Sequence, residues 1–359
     1  MADPVDDTEE KTVKEPRPGA RRTATAAVER YGLLLMLVLM IVVFASLPES
    51  GAAFRSSANV QALLANQAVG LSVALALLFP MAAGFLDFSV GAVSATACVV
   101  AAAGMSRFGL PAAAAVALAL AAGVLVGGVL GVLVARFAMN PFIATLGMAT
   151  LLGGAIFAYT DGMQITEGIS GGLTDLGSLT WFGVPRVVVA AAGLAVAVWF
   201  VIGQTPLGRH LFAVGSNANA ARLVGVDVTR VQLTSFVLSG LVASAAGVLL
   251  LARQGAATSD SGMSLLFPAL TAVFLSTIVI DLGRPSVLGT VIGVLFVAVS
   301  VSGLTLVGAP AWVSQVFNGA ALLAAVGITA CGPCSPCTSG PRPTGSPGRG
   351  SPSWCGAGP

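Results

Sequence analysis

Residues 110–135 read LPAAAAVALALAAGVLVGGVLGVLVA, twenty-six positions without a charged, amide or hydroxyl side chain. A helix crosses the roughly 30 Å hydrocarbon core of a bilayer with about 20 apolar residues. There it must satisfy every backbone amide within its own segment. The run has the length and composition of one such crossing. Nine further apolar runs flank it, at 31–47, 60–82, 88–105, 141–160, 187–202, 231–252, 264–281, 286–307 and 311–328. The stretch 60–105 is harder to divide, because Pro80, Gly84, Asp87 and Gly91 interrupt it. A broken or re-entrant element fits there, since non-helical backbone is tolerated at membrane depth when protein surrounds it. About ten transmembrane helices in a compact bundle, an all-α integral membrane protein, is the expected fold. Gly123, Gly127, Gly128 and Gly131 within one span would let helices approach backbone to backbone. An alanine- and glycine-rich genome would supply the same residues without that purpose.

Composition agrees. Of 359 residues, 56% are apolar and 9% charged, with a mean hydropathy of +0.93. Soluble domains carry about 25% charged residues. Residues 1–30 hold 13 of the 32 charges and the tail from Cys331 holds two, leaving 17 for the 300 residues between. A polar shell cannot be built from so few, so lipid is the solvent. The net charge of +2 and the lack of a basic patch exclude a nucleic-acid partner.

Three segments follow: a polar, disordered cytoplasmic tail over 1–30, a membrane domain over 31–330, and a low-complexity tail over 331–359. The mixed charges of Asp3, Asp6, Asp7, Glu9, Glu10, Lys11 and Lys14 do not make a secretory signal. The final tail carries Cys331, Cys334, Cys337 and Cys355 among Pro, Gly and Ser. No histidine or helical scaffold supports a metal or iron–sulfur site there, and a misread terminus explains it better. Cys98, in an apolar run, reads as a packing residue.

Ten spans put both termini on one side. With the N-terminus in the cytoplasm, 13 Lys and Arg lie inside and four (Arg55, Arg107, Arg186, Arg253) outside. Without the tails the split is five against four, so the basic residues before the first span carry the orientation. Two long loops remain. Residues 161–186, with Asp161, Glu167 and Asp175, face outward, and 203–230 face the cytoplasm.

No catalytic residues and no metal ligands are expected. The chain lacks a Walker A loop, so it does not itself cradle ATP. His210 stands alone beside Arg209 and reads as a surface histidine. In the cytoplasmic loop, Asn217 precedes Ala218-Asn219-Ala220-Ala221-Arg222-Leu223-Val224, with Gly225 after it. An Asn cap, an Ala-rich stretch and a Gly stop predict a helix of about two turns. So short a helix needs a partner surface; the alternative is a loop resting on lipid headgroups.

Thr205-Pro206-Leu207-Gly208-Arg209, then Ala213-Val214-Gly215-Ser216-Asn217 and Ala220-Ala221-Arg222-Leu223-Val224-Gly225-Val226, resemble the ribose-type sugar permeases of bacterial ABC importers. Asp87-Phe88-Ser89-Val90-Gly91, Asn140-Pro141-Phe142-Ile143-Ala144-Thr145-Leu146-Gly147, Tyr159-Thr160-Asp161-Gly162 and Ser239–Gly247 agree, so the resemblance spans about 31–328. Ser276–Pro285 departs from the family's usual glycine-rich stretch and resembles a divergent branch.

The resemblance implies a permease for a small polar solute, most simply a monosaccharide such as ribose, in the bacterial plasma membrane. It implies a second permease subunit, cytoplasmic ABC ATPase subunits that bind the ATP and Mg, and an extracytoplasmic solute-binding protein. The chain itself would hold no cofactor and perform no chemistry. Gly208, Arg209, Gly215, Asn217, Ala220, Ala221, Arg222 and Gly225 would form the ATPase-coupling loop. Asn66, Gln67, Asp87, Ser89, Phe142 and Thr145 are candidates for the translocation path. Asp87 and Ser89 stand at the start of a span, where capping of the helix is the favoured reading over substrate contact, and Asn66 and Gln67 equally suit bonds between helices. Related permeases carry branched-chain amino acids or nucleosides. An ion-coupled secondary transporter would need intramembrane acidic groups, for which Asp87 is the one candidate.

Overall fold

The computed structural model describes residues 20–330 apart from Glu49, Ser259, Ser261 and 280–283. The cysteines of the terminal tail, most of the N-terminal tail and part of the divergent stretch before Pro285 lie outside the described residues. In chain order the helices are α1 (Ala20–Ser46), the single turn α2 (Gly51–Phe54), α3 (Ser57–Ala82), α4 (Val90–Ser106), α5 (Ala112–Ala135) and α6 (Pro141–Thr160). Next come α7 (Gly171–Ser178), a hairpin of β1 (Thr180–Trp181) and β2 (Val184–Pro185), α8 (Arg186–Gln204), α9 (Pro206–Ser216) and α10 (Ala218–Leu223). The chain continues through α11 (Val228–Gln254), α12 (Met263–Val279), α13 (Val287–Leu306) and α14 (Ala311–Ala330).

Each of the ten apolar runs is a helix. Among the described residues, six helices (α3, α5, α6, α8, α11 and α13) are long and apolar enough to cross a membrane. Shorter apolar helices occupy Gly32–Ser46, Val90–Ser106, Met263–Thr277 and Ala311–Gly327. α1 begins at Ala20, inside the stretch read as a polar tail.

Helices apolar on every side must be sorted by packing, and burial does so. α11 is the hub, 78% buried across its most apolar window, against 28% for α6 and for α8. It packs most extensively on α5, then on α3 and α4. Glycines make the α5–α11 approach possible. A Cβ on Gly127 would fall inside the Phe236 carbonyl, and one on Gly123 inside the Gly240 carbonyl. Gly131 likewise has no room, its Cβ coming 3.0 Å from the Leu233 Cα, whereas Gly128 points away, with only Val237 Cγ2 at 4.0 Å. Three of the four glycines picked out in the sequence thus serve close packing.

The interrupted stretch 60–105 resolves into α3, a non-helical segment 83–89 and α4. α3 carries Pro80 in its last turn, and the Phe85 amide donates back to the Pro80 carbonyl (2.9 Å). A proline there removes a ladder bond and favours termination. α4 does not begin at the end of the bundle. Its first turn meets the start of α12, since a Cβ on Gly91 would lie 2.9 Å from the Gly262 carbonyl oxygen and 3.2 Å from Leu266 Cβ. Two helices that both start inside the bundle need fewer residues to leave it. This accounts for the 17-residue length of α4.

The loop 161–186 holds more order than its polar sequence suggests. Ile165 and Ala257 exchange backbone hydrogen bonds, 2.9 Å each way, fastening it to the end of α11. The hairpin turn carries Phe182 at φ +49° and Gly183 at φ +82°, with Trp181 and Phe182 exposed at its tip. At the opposite end lies the loop that joins α8 to α11.

Candidate functional site

The 203–230 loop is a pair of helices folded under the bundle. Thr205 opens α9 and donates its hydroxyl to the Val201 carbonyl (2.6 Å), and Pro206 sits at the first helical position, where its missing N–H costs nothing. α9 is amphipathic, with Leu211 and Val214 buried in the main core and Arg209 and His210 exposed. Gly208 faces the end of α8 so closely that a Cβ would coincide with the Ile202 carbonyl. Gly215 stands in the same relation to the Ala82 carbonyl at the end of α3. Arg284 lies over the ring of Phe212 at 5.7 Å. These contacts fix α9 to the bundle and leave its outer face free.

α10 follows without a linker. The Asn217 Oδ1 accepts from the Ala220 amide (3.0 Å), as its position in the sequence led us to expect. The Asn217 amide itself donates to the Ala213 carbonyl of α9 (3.1 Å), so one residue closes both helices. Ala221 is buried and anchors α10, and Gly225 ends it at φ +86°. The Val226 amide returns to the Ala221 carbonyl (3.0 Å). Ala220 and Arg222 face outward. Asp227 then caps α11 by accepting from the Arg230 amide (3.1 Å). Its ion pair with Arg230 is solvent-exposed and adds little.

Leu223 and Val224 are 89% and 79% exposed at the lip of this turn, beside Arg222. Two large apolar side chains held out by a capped, anchored helix form a small adhesive knob. Sequence reasoning passed over them, and over α9 as a helix. The signal was present in Leu207, Leu211 and Val214, whose spacing of four and three residues marks one helical face.

An Asn217→Ala change tests the cap. Loss of such a cap costs about 1 kcal/mol, so local opening of α10 should rise roughly fivefold. Faster amide exchange over 218–224, with the rest of the protein unchanged, is the expected result.

The other candidates fall into two places. Asn66 and Gln67 line a cleft of about 260 Å³ with Asn59, Ser302 and Thr305, between α3 and α13. Asn66 also accepts from Arg253 Nε of α11 (3.1 Å), so it both lines the cleft and bonds between helices. Asp87 is 3% exposed. Its Oδ1 accepts from the Ser89 amide (2.9 Å) and hydroxyl (2.6 Å), and its Oδ2 from the Ser239 hydroxyl of α11 (3.0 Å). Ser89 stands at the N-cap position of α4 but its side chain makes no capping bond. The Asp87 carboxylate thus holds Ser89, the residue that opens α4, through two bonds and reaches across to α11 through one. Phe142 is exposed and meets Phe88 edge-on at 5.2 Å. Thr145 is buried and returns its hydroxyl to the Phe142 carbonyl (3.3 Å). Phe88 links Phe142 to Asp87 and Ser89, whereas the hydrogen bond of Asn66 runs to Arg253 near the other end of α11.

A protein family described as the permease component of the branched-chain amino acid transport system matches residues 60–326. The chain is 32% identical to the ribose import permease protein of Bacillus subtilis over 300 residues, 83% of this chain and 92% of the relative. It is 32% identical to that of Escherichia coli over 314 residues, 85% and 95% of the two chains. The fructose import permease protein of Rhizobium meliloti is 34% identical over 307 residues, 82% and 83%. With a membrane-spanning helical bundle, a family match over most of its length and relatives aligned nearly end to end, the chain belongs to this family of transport-system permease components.

Proposed function

We propose that this permease is the membrane-spanning subunit of a bacterial ATP-binding-cassette importer and brings a monosaccharide such as ribose across the plasma membrane. The observation that carries the reading is the exposed knob of Leu223 and Val224 on a turn fastened to the bundle by Gly208, Gly215, Leu211 and Val214. Such a turn suits a partner that grips it and moves it as a rigid body. In this reading the partner is a cytoplasmic ATPase, which binds ATP and Mg, while this chain performs no chemistry. Arg209 and Arg222 supply exposed positive charge at the rim.

A second permease subunit completes the path, and both termini lie in the cytoplasm. The solute-binding protein meets the opposite end, where α7 and the Trp181–Phe182 tip project. The ribose and fructose relatives support a sugar as cargo. The family's description supports branched-chain amino acids as the second reading. An ion-driven mechanism draws on Asp87 alone, whose oxygens are already engaged by Ser89 and Ser239.

The test is co-purification with the cognate ATPase in mild detergent, followed by uptake of labelled ribose and leucine in vesicles. A stable complex and ATP-dependent ribose uptake are expected. Arg222→Glu should weaken ATPase association about tenfold, most strongly at low salt, because a rim charge acts through long-range attraction. Uptake that follows an ion gradient without any ATPase would overturn the reading, and leucine uptake in place of ribose would select the second.

A further inference from the structure

The segment 83–89 is held by three helices at once. Gly84 (φ +86°) crosses Gly215 of α9, and a Cβ on it would come 3.3 Å from the Gly215 Cα. Phe85 stacks on Phe236 of α11 with ring centres 6.3 Å apart and 26° between the planes. Phe88 meets Phe142 of α6, and Asp87 receives Ser239 of α11. Phe236 and Ser239 are three residues apart, on one face of α11. α11 itself starts at Val228, directly after the docking turn and its Asp227 cap. Ser239 lies roughly 16 Å up that helix at 1.5 Å per residue.

A movement of the docking turn therefore has two routes to one segment. α9 reaches it at Gly84, and α11 reaches it at Phe85 and Asp87. The segment leads straight into α4, whose first turn packs on the start of α12. Apolar contacts alone could hold these elements together, yet a carboxylate has been placed at the junction. Burying it is unfavourable unless it is hydrogen-bonded, and no cation pairs with it among the described residues. Two of its bonds, from Ser89, fix the carboxyl within the segment, and the third, from Ser239, ties that fixed carboxyl to α11 and so sets the geometry between the segment and the helix.

We propose that Asp87 and Ser239 form the positioning contact through which the docking turn moves the start of α4 during transport. The inference rests on reading 205–226 as the ATPase-docking element.

The experiment uses the complete transporter, with its ATPase and binding protein, reconstituted in vesicles. Uptake and ATP hydrolysis are measured on the same sample. Ser239→Ala removes one donor and adds no volume; Asp87→Asn keeps the size and replaces one acceptor oxygen by a donor amide. Each should lower solute taken up per ATP hydrolysed by about tenfold, the scale of leaving one buried hydrogen-bonding group without its partner, while the ATPase still co-purifies and turns over. The double variant should lose no more than Asp87→Asn alone, as expected of two groups acting through one contact. Uptake and hydrolysis falling in parallel would overturn the proposal by making the contact merely structural, and so would full coupling in Ser239→Ala. A wild-type chain that binds no ATPase would remove the docking reading and this inference together. A coupled wild type with an equally coupled Ser239→Ala would remove the inference alone.

Discussion

Gly127→Val should abolish recovery of folded permease, while Gly128→Val, one residue along, should leave it intact. The Gly127 Cβ position falls inside the Phe236 carbonyl and within 3.1 Å of the Val237 Cα, so the new side chain runs into the α11 backbone. Backbone cannot rotate away as the end of a flexible side chain can. Overpacking in an ordinary core costs about 1–3 kcal/mol; here three added carbons must part α5 from α11, the most extensive helix contact in the bundle. Parting them also disturbs Phe236, which carries the stack on Phe85. At Gly128 a Cβ touches only Val237 Cγ2, at 4.0 Å. Size-exclusion profiles and thermal midpoints in detergent will separate the two. A monodisperse Gly127→Val protein with wild-type stability would show that α5 and α11 are not packed this closely.

The contrast between these neighbours marks what could be read from the chain. The run 110–135 declares a helix and its glycines declare close packing, but which glycines face α11 depends on rotation about the helix axis. A helix apolar all round gives no polar face from which to fix that rotation. The ten apolar runs were legible for the same reason that their mutual arrangement was not. Lipid and protein interior select the same side chains, so sequence marks the span and not its neighbours. The start of α4 inside the bundle was foreshadowed by Pro80, Gly84 and Asp87, whereas nothing at Gly262 announced that α12 starts beside it.

The turn 205–226 was more legible because much of it is exposed, where local rules hold. Asn217 and Gly225 bracket α10 as caps do in any soluble protein. α9 was missed because Gly208, Gly215 and Ser216 lower its helix propensity, and burial of Leu211 and Val214 against the core overrides that preference. Ser239 could not have been tied to Asp87 at all. They are 152 positions apart, and a serine within an apolar span most often bonds its own helix, as Ser235 and Ser244 do here.

Replacing Leu223 and Val224 together by serine should abolish ATPase association without affecting the fold of the permease. At 89% and 79% exposure the two side chains contribute almost nothing to internal packing, so the thermal midpoint should stay at the wild-type value. In a complex they would be the buried anchors. Burying a Leu or Val side chain contributes about 1.5–3 kcal/mol, so losing both should weaken binding by about two to four orders of magnitude. That exceeds the tenfold expected from Arg222→Glu, as interface energetics predict when apolar anchors sit at the centre and charges at the rim. The same pair separates docking on protein from resting on lipid. A knob seated among headgroups would lose membrane contact on substitution, yet the ATPase would assemble as before and uptake would persist. If Leu223 and Val224 seat in an ATPase cleft, assembly and uptake disappear together while the isolated permease melts unchanged.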